Sequence, residues 1–522
     1  MQHHHRLAVA NIVVVDGHVA HHNGPAGGFF GESGGGHITP RQCRWTRLYS
    51  TAWMDRMHRM DDTVGEAPIR HQRGCAMVAL GRKRRIIDLE TGQLDRRIFV
   101  DPDIYAEEQE KVFGRAWLMI GHESLVPNIN DFFHTYMGEE PVILCRDGRG
   151  NLRAFLNMCR HRGNRIVRTD VGNARNFACA YHGWTFSNEG ALEHVPGDEE
   201  AYYGALDRDC LGLVEARLDT YAGIVFATWD RSAPSLDDYL GDARWLLDVS
   251  FNRLDNGTEA IGPIKWIEPL NWKTAVDNCS DNYHVPTTHI STIIVQGRHR
   301  GVPRLTHEQQ FQSDNKHLFV NGHSLTMRFL ERADQARQTH GVTAENLAAF
   351  EEYYRATLPE AERRLGSLRT RLHLGNHSLF PNGVLGLRLA HPRGPLETEF
   401  WHFVVLEKDM PDELKTALRR GSANYNGVNG IFEQDDMDNW RGVTQSALTP
   451  MGRKYTQDLS MGVGHDRCHP DYPGIVADRY TSESNQRLFY RRWEQFMNAE
   501  NWEDIPLEPK AMNYEGTATL RG

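Results

Sequence analysis

Residues Cys159–Trp184 read CRHRGNRIVRTDVGNARNFACAYHGW, and the rest of the chain is best read outward from them. They hold a Cys-x-His pair, Cys159 and His161, and a Cys-x-x-His pair, Cys179 and His182. Thiolate and imidazole are the donors that proteins offer to zinc, copper and iron. One of each from two separate loops makes a set of four ligands. A structural zinc and an iron–sulfur cluster both satisfy that set, and they imply different proteins.

The chain is long enough for more than one domain. At 522 residues it suits two, one enclosing the other. With 40% apolar and 25% charged residues it can bury a sizeable core. The formal net charge of −10 argues against a nucleic-acid partner, which needs a basic excess to neutralise phosphates. No apolar run reaches the roughly 18–20 residues that cross a bilayer, so no membrane span is expected. Eight cysteines are scattered singly except for Cys159 and Cys179, a usage that fits a reducing cytoplasm rather than a disulfide framework.

Residues 1–82 differ in texture. They carry nine arginines and no lysine, with His3, His4 and His5 at the start and a glycine-rich GPAGGFFGESGGGH. LAVANIVVVDG is too short for a span and lacks a cleavage pattern. Asp55, Asp61, Asp62 and Glu66 count against an organellar targeting peptide. The expectation is a disordered leader or a misassigned upstream extension, with Met77 a plausible start.

From Arg85 the texture is that of a folded protein. DPDIYAEEQEKVFGRAW spaces its apolar residues as a helix would, with Asp101 or Asp103 as the start signal. PVILCRDGRGNLRAFLN reads as a hairpin leading into Cys159, and YAGIVFATWD (Tyr221–Asp230) as a further strand. Residues of about 120–235 thus read as all-β, with both Cys/His pairs on loops. Beyond them helices and strands mix, and AENLAAFEEYYRATL and SNQRLFYRRWEQFMN are amphipathic helices. The architecture expected is α+β, a small β domain inserted in or packed on a larger α+β domain.

On spacing, one cysteine and one histidine from each loop fit a Rieske [2Fe–2S] centre better than a Cys₂His₂ zinc. In such a centre one iron takes two thiolates and the other two imidazoles. Tyr181 and Trp184 would pack around the histidine edge. An electron carrier needs nothing more. This chain has a second constellation, however, in NWKTAVDNCSDNYHVPTTH, Asn271–His289. His284 and His289 lie about 140° apart on a straight helix and would not converge. Pro286 between them can break the helix and turn both imidazoles to one point. Two histidines and a carboxylate form the facial triad of a non-haem Fe(II) oxygenase, and IFEQDDMDNW (Ile431–Trp440) offers carboxylates on a helix.

CRH…CAYHGW, NWK…DNYHVPTTH and FEQDDMDNW occur in that order within residues 85–522. Together they resemble the α (large) subunit of Rieske non-haem iron aromatic-ring-hydroxylating dioxygenases. RRIFVDPDIYAEEQEKVFGRAWLMIGHES and PDYPGIVADRYTSESNQRLFYRRW are similar to the hydrocarbon branch of that family. The resemblance implies a Rieske domain over 121–235. It implies a catalytic domain over 83–120 and 236–522, with an antiparallel sheet of helix-grip type. Cys159, His161, Cys179 and His182 would hold one [2Fe–2S] cluster, and His284, His289 and Asp436 one mononuclear Fe(II), with Asp435 the alternative carboxylate. Asp281 matches a bridging aspartate between His284 and the cluster histidine, His182, of a neighbouring subunit. Asn278 and Phe432 match residues near the iron and along the substrate pocket.

The implied reaction inserts both atoms of O₂ into an aromatic ring to give a cis-dihydrodiol. Electrons would come from NAD(P)H through a reductase and a ferredoxin. The implied assembly is an α₃ ring, with or without a small β subunit. Monohydroxylation or demethylation on the same cofactors is the alternative reaction, and electron transfer alone a more distant one. Asp281 follows Trp272 by nine residues, a spacing similar to benzoate- and anthranilate-type enzymes, whereas FEQDD resembles the hydrocarbon group. Substrate identity is therefore left open by the sequence.

Overall fold

The computed structural model describes residues 85–300, 309, 315–336, 340–384 and 386–508. The expected leader, 1–82, lies outside them. The first helix, Pro102–Glu108, starts at Asp101, whose side chain accepts from the amides of Asp103 and Ile104, with proline in the first turn. A single wider turn, Gln109–Phe113, continues it.

The β region is three small antiparallel sheets. Strands Asp131–Met137, Glu140–Arg146, Leu152–Leu156 and Val171–Asn173 form one, and Asn176–Ala178, Thr185–Ser187 and Leu192–His194 another. The third joins Leu118–His122 to Ile224–Thr228 and Arg217–Tyr221. The expected hairpin is present, closed by Asp147. Its carboxylate accepts from the amides of Arg149 (2.9 Å) and Asn151 (2.8 Å) at the head of the turn. A short helix, Asp198–Tyr202, interrupts what the sequence suggested was all-β. Tyr221–Asp230 is likewise not one strand. Tyr221 pairs with Ile224 across Ala222 and Gly223, both at positive φ, so the stretch is a tight hairpin turn followed by a strand. A Cβ on Gly223 would also sit 2.4 Å from His122 Nε2, so only glycine fits.

The larger region is built on a nine-stranded antiparallel sheet. In spatial order its strands are Thr258–Glu268, Thr398–Glu407, Leu387–Pro392, Gly383–Val384, Leu372–Leu379, His323–Phe329, Asn315–Val320, Tyr472–Ala477 and Arg467–His469. Five helices matter for the site: α1 Trp272–Asn278, α2 Val285–Thr288, α3 Ile290–Arg300, α4 Ile431–Leu448 and α5 Ser484–Asn498. On α5, Phe489, Tyr490, Trp493, Phe496 and Met497 face the main core, the helical spacing that the sequence showed. Pro286 does not break a helix as expected. It occupies the first turn of α2, where its missing N–H costs nothing, and the chain breaks earlier, between α1 and α2.

One buried ion pair ties the segment before the β region to the site helices. Glu108 and Lys273 have no exposed side-chain surface, and Lys273 Nζ lies 2.8 Å from Glu108 Oε1. The indole N–H groups of Trp272 and Trp493 donate to the same carboxylate. Four hydrogen bonds from three donor groups make this burial tolerable. Glu108→Ala would strand the Lys273 charge, and we expect a loss of about 3–5 kcal/mol, read as a lower urea midpoint. Adding Lys273→Met should recover part of it, because no charge is then left alone.

His323 is also fully buried. It takes the Phe380 amide on Nδ1 (3.1 Å) and packs edge-on against Tyr239. Burial, with help from Arg492, lowers its pKa to about 3. The folded state therefore holds it neutral, while the unfolded chain takes up its proton below about pH 6.5. His323→Asn should be destabilising at pH 7. The gap to wild type should narrow by about 1.4 kcal/mol per pH unit as pH falls from 6.5 toward the folded pKa. Urea unfolding of both proteins at pH 7 and pH 5 measures it.

Candidate functional site

The two Cys/His loops have the same backbone despite their different spacing. The Cys159 amide donates to the Asn164 carbonyl (2.8 Å), and the Gly163 amide to the Cys159 carbonyl (2.9 Å). In the second loop Cys179 pairs in the same way with Trp184 (2.8 Å) and Gly183 (2.9 Å). Gly163 and Gly183 share a φ of +73°, the left-handed turn that glycine permits. Asn157, 1% exposed, locks the first loop: its Oδ1 accepts from the Ile166 and Val167 amides and its Nδ2 donates to the Val167 carbonyl.

The four side chains converge. The rings of His161 and His182 lie 4.6 Å apart, and His161 stacks on Trp184 at 4.9 Å with 7° between the planes. The amides of His161 and Arg162 face the Cys159 sulfur, and those of Tyr181 and His182 the Cys179 sulfur. Burial pushes the Cys159 thiol up. Burial acts the same way on Cys179, but the two amides, the Asn164 side chain and Cys159 outweigh it and hold that thiol down. His161 Nδ1 is buried with no hydrogen-bond partner among the described residues. An orphaned imidazole nitrogen beside two thiols is a donor set for a metal centre, and it fits a [2Fe–2S] cluster.

The second constellation also closes. His284 caps the start of α2 and His289 its end, so one short turn of helix sets both rings, 5.3 Å apart at 74°. Asp436 comes from α4, and its Oδ1 lies 3.1 Å from His289 Nε2 and 3.8 Å from His284 Nε2. Among the described residues these three form the group whose donor atoms all fall within 4.8 Å of one another. Asp436 Oδ1 is buried and, among the described residues, has no hydrogen-bond partner, a cost that a bound cation removes. Two imidazoles and one carboxylate fit a mononuclear iron with open positions.

The outer nitrogens are occupied too. His284 Nδ1 lies 2.8 Å from Asp281 Oδ1, and His289 Nδ1 lies 3.3 Å from Asp435 Oδ2. Asp435, the alternative carboxylate, thus sits behind His289 rather than in the triad. Burial works to lower the His284 pKa, but Asp281 and then Asp436 outweigh it and the net shift is upward, so the site favours positive charge. Asn278 Nδ2 lies 3.5 Å from His284 Nε2, and the Phe432 ring is 4.5 Å from that of His289. In the first turn of α4, Glu433 is buried against Arg388 (2.7 Å), and burial raises its carboxyl to about 7.

Sequence reasoning missed Gln486 and Asn376. Gln486 Nε2 donates to Asp281 Oδ2 (2.8 Å), and Asn376 Nδ2 to the Asp281 carbonyl (2.5 Å). No local signal marks either, because polar residues at a helix start or on a strand ordinarily read as solvated ones.

Comparison with known proteins agrees with both centres. The Rieske [2Fe-2S] domain family matches residues 116–217, and the ring hydroxylating alpha subunit (catalytic domain) family matches 236–499. The biphenyl 2,3-dioxygenase subunit alpha of Rhodococcus jostii (strain RHA1) is 36% identical over 455 residues, 82% of this chain and 95% of its own. The benzene 1,2-dioxygenase subunit alpha of Pseudomonas putida is 35% identical over 80% of this chain and 94% of its own. Among solved structures, naphthalene 1,2-dioxygenase from Rhodococcus sp. bound to indole superposes with a TM-score of 0.68. It is 32% identical and covers 78% of this chain and 95% of that one. A quaternary ammonium Rieske monooxygenase, 17% identical with a TM-score of 0.59 over 81% of this chain and 100% of that one, shares the fold. The chain therefore belongs to the α subunits of Rieske aromatic-ring-hydroxylating dioxygenases, with a [2Fe–2S] cluster and a mononuclear iron as its cofactors.

Proposed function

We propose that Cys159, Cys179, His161 and His182 hold the cluster, the cysteines on one iron and the histidines on the other, and that His284, His289 and Asp436 hold the mononuclear iron. The observation that carries this is the meeting of two Nε2 atoms and an orphaned carboxylate oxygen within 4.8 Å. We further propose 121–235 as the cluster domain and 83–120 with 236–522 as the catalytic domain. The Glu108–Lys273 pair supports counting the early segment with the catalytic part.

The substrate class we propose is a neutral aromatic hydrocarbon. Support comes from the relatives, named for biphenyl, benzene and naphthalene, and from the Phe432 ring beside His289. When bound, the two iron centres supply electrons and O₂ activation, so that both oxygen atoms enter the ring as a cis-dihydrodiol. The side chains position and insulate. Asp281 and Asp435 hold the Nδ1 atoms of His284 and His289, which leaves Nε2 of each for the metal. Phe432 offers an aromatic wall, and Asn278 a polar group at the edge of the site.

Electrons are proposed to pass from NAD(P)H through a reductase and a ferredoxin to the cluster. They would then cross from His182 of the partner subunit to Asp281 and His284 within an α₃ ring, with a small β subunit as a further partner. The exposed Tyr181 beside His182 supports a surface contact there. A cytoplasmic location accords with the scattered cysteines.

The test is direct. Wild-type protein should carry three irons per chain and return a diol with two labelled atoms from ¹⁸O₂; a single labelled atom would establish monooxygenation instead. Asp436→Ala should retain the cluster's visible absorbance, fall to two irons per chain and form no product. Asp281→Asn should keep all three irons and the ring assembly while turnover drops about 100-fold. Undiminished turnover in that variant would remove Asp281 from the relay.

A further inference from the structure

The segment that carries Asp281 and ends at His284 is held largely by one stretch of chain at the start of α5. Tyr480 Oη donates to the Asn282 carbonyl (2.7 Å), Asn485 Nδ2 to the Ser280 carbonyl (3.0 Å) and Tyr490 Oη to Asp277 Oδ2 (3.1 Å). Ser484, Asn485, Gln486 and Arg487 are four consecutive polar residues, each at most 2% exposed. Burying such a run is costly, and part of that cost is left standing, since Ser484 Oγ, Asn485 Oδ1 and Gln486 Oε1 have no hydrogen-bond partner among the described residues. In this stretch it is Gln486 that reaches the Asp281 carboxylate.

The geometry of that carboxylate is nearly saturated. Oδ1 accepts from His284 Nδ1 (2.8 Å) and from the His284 amide (3.2 Å). Oδ2 accepts from Gln486 Nε2 at 2.8 Å. The same Nε2 also lies 3.2 Å from the Asp277 carbonyl, so Gln486 is pinned to the helix from which Asp281 emerges. A carboxylate offers about four acceptor positions, and among the described residues three are filled. The one left, among the described residues, is on Oδ2, and the Asp281 side chain keeps 7% of its surface exposed.

We infer that Gln486 is a positioning residue that fixes the plane of the Asp281 carboxylate, keeping Oδ1 on His284 and leaving one acceptor position of Oδ2 for an imidazole N–H of His182 of the partner subunit. This rests on the relay reading of Asp281 given above. Without the amide the carboxylate can rotate about its Cβ–Cγ bond, and the bridge must find its geometry anew for each electron. One electron leaves the reduced cluster and one reaches the iron; no bond at Gln486 forms or breaks.

The experiment is single-turnover oxidation of the reduced holoenzyme, mixed with O₂ and naphthalene and followed by the cluster's visible absorbance. Gln486→Met, close in length but without a donor, should oxidise about tenfold more slowly than wild type. Its three irons per chain, its ring assembly and its KM for naphthalene should not change. Gln486→Asn keeps the amide but falls one carbon short of Asp281, and serves with the same expectation if the Met variant does not fold. A rate within twofold of wild type in the folded variant, with Asp281→Asn slowed about 100-fold, would overturn the role of Gln486 and leave the relay standing. A rapid Asp281→Asn would instead overturn the relay, and the inference with it.

Discussion

An imidazole presents one nitrogen to a metal in a fixed direction only when its other nitrogen is held, and in this chain carboxylates do the holding. Asp281 braces His284 and Asp435 braces His289, each on Nδ1, so that both Nε2 atoms face Asp436. The surrounding structure serves those two contacts. The turn of helix between the histidines sets their separation, α4 delivers Asp435 and Asp436 together, and α1 with the start of α5 fixes Asp281. Adjacent aspartates on α4 can serve different functions because one reaches the open side of His289 and the other its back.

Such a site gathers negative charge where water is scarce, and the fold offsets it in two ways. Glu433 is paired with Arg388, although burial still raises its carboxyl to about 7. Asp277, four residues before Asp281, is likewise raised to about 7, by burial first and by Asp281 next, so the two neighbours need not both be charged. Asp436 is left with a buried oxygen that no hydrogen-bond donor among the described residues satisfies. That residual deficit is the electrostatic signature of the cation the site is built for.

The candidate donor residues were legible in the sequence because they depend on residue identity at short spacing. Cys159, His161, Cys179 and His182 meet as their motifs imply, and so do His284, His289 and Asp436. The five-residue separation of the histidines was readable, but its structural cause was not. Proline looks the same in a sequence whether it breaks a helix or begins one, and at Pro286 it begins one. Tyr221–Asp230 misled for a related reason, since the apolar run conceals a two-residue turn at Ala222–Gly223 whose positive φ values the local composition only hints at. Gln486 was not readable. Its partner lies 205 positions away, and a run of Ser, Asn, Gln and Arg at a helix start ordinarily faces water.

The two metal sites differ most in how they meet solvent, and that difference constrains how electrons travel. His182 sits on a loop beside Tyr181, which is 53% exposed, so the histidine edge proposed for the cluster is open to another protein. His289, Asp436 and Asp281 are all nearly enclosed. An iron site must be dry and shaped to direct O₂ at a substrate, whereas a donor site must be reachable. Placing both demands in one chain separates the centres by function, and a short polar contact between surfaces can reconcile them. Asp281 suits that contact: one oxygen faces His284 within its own chain, and the other accepts only from Gln486 among the described residues, on a side chain that keeps 7% of its surface exposed.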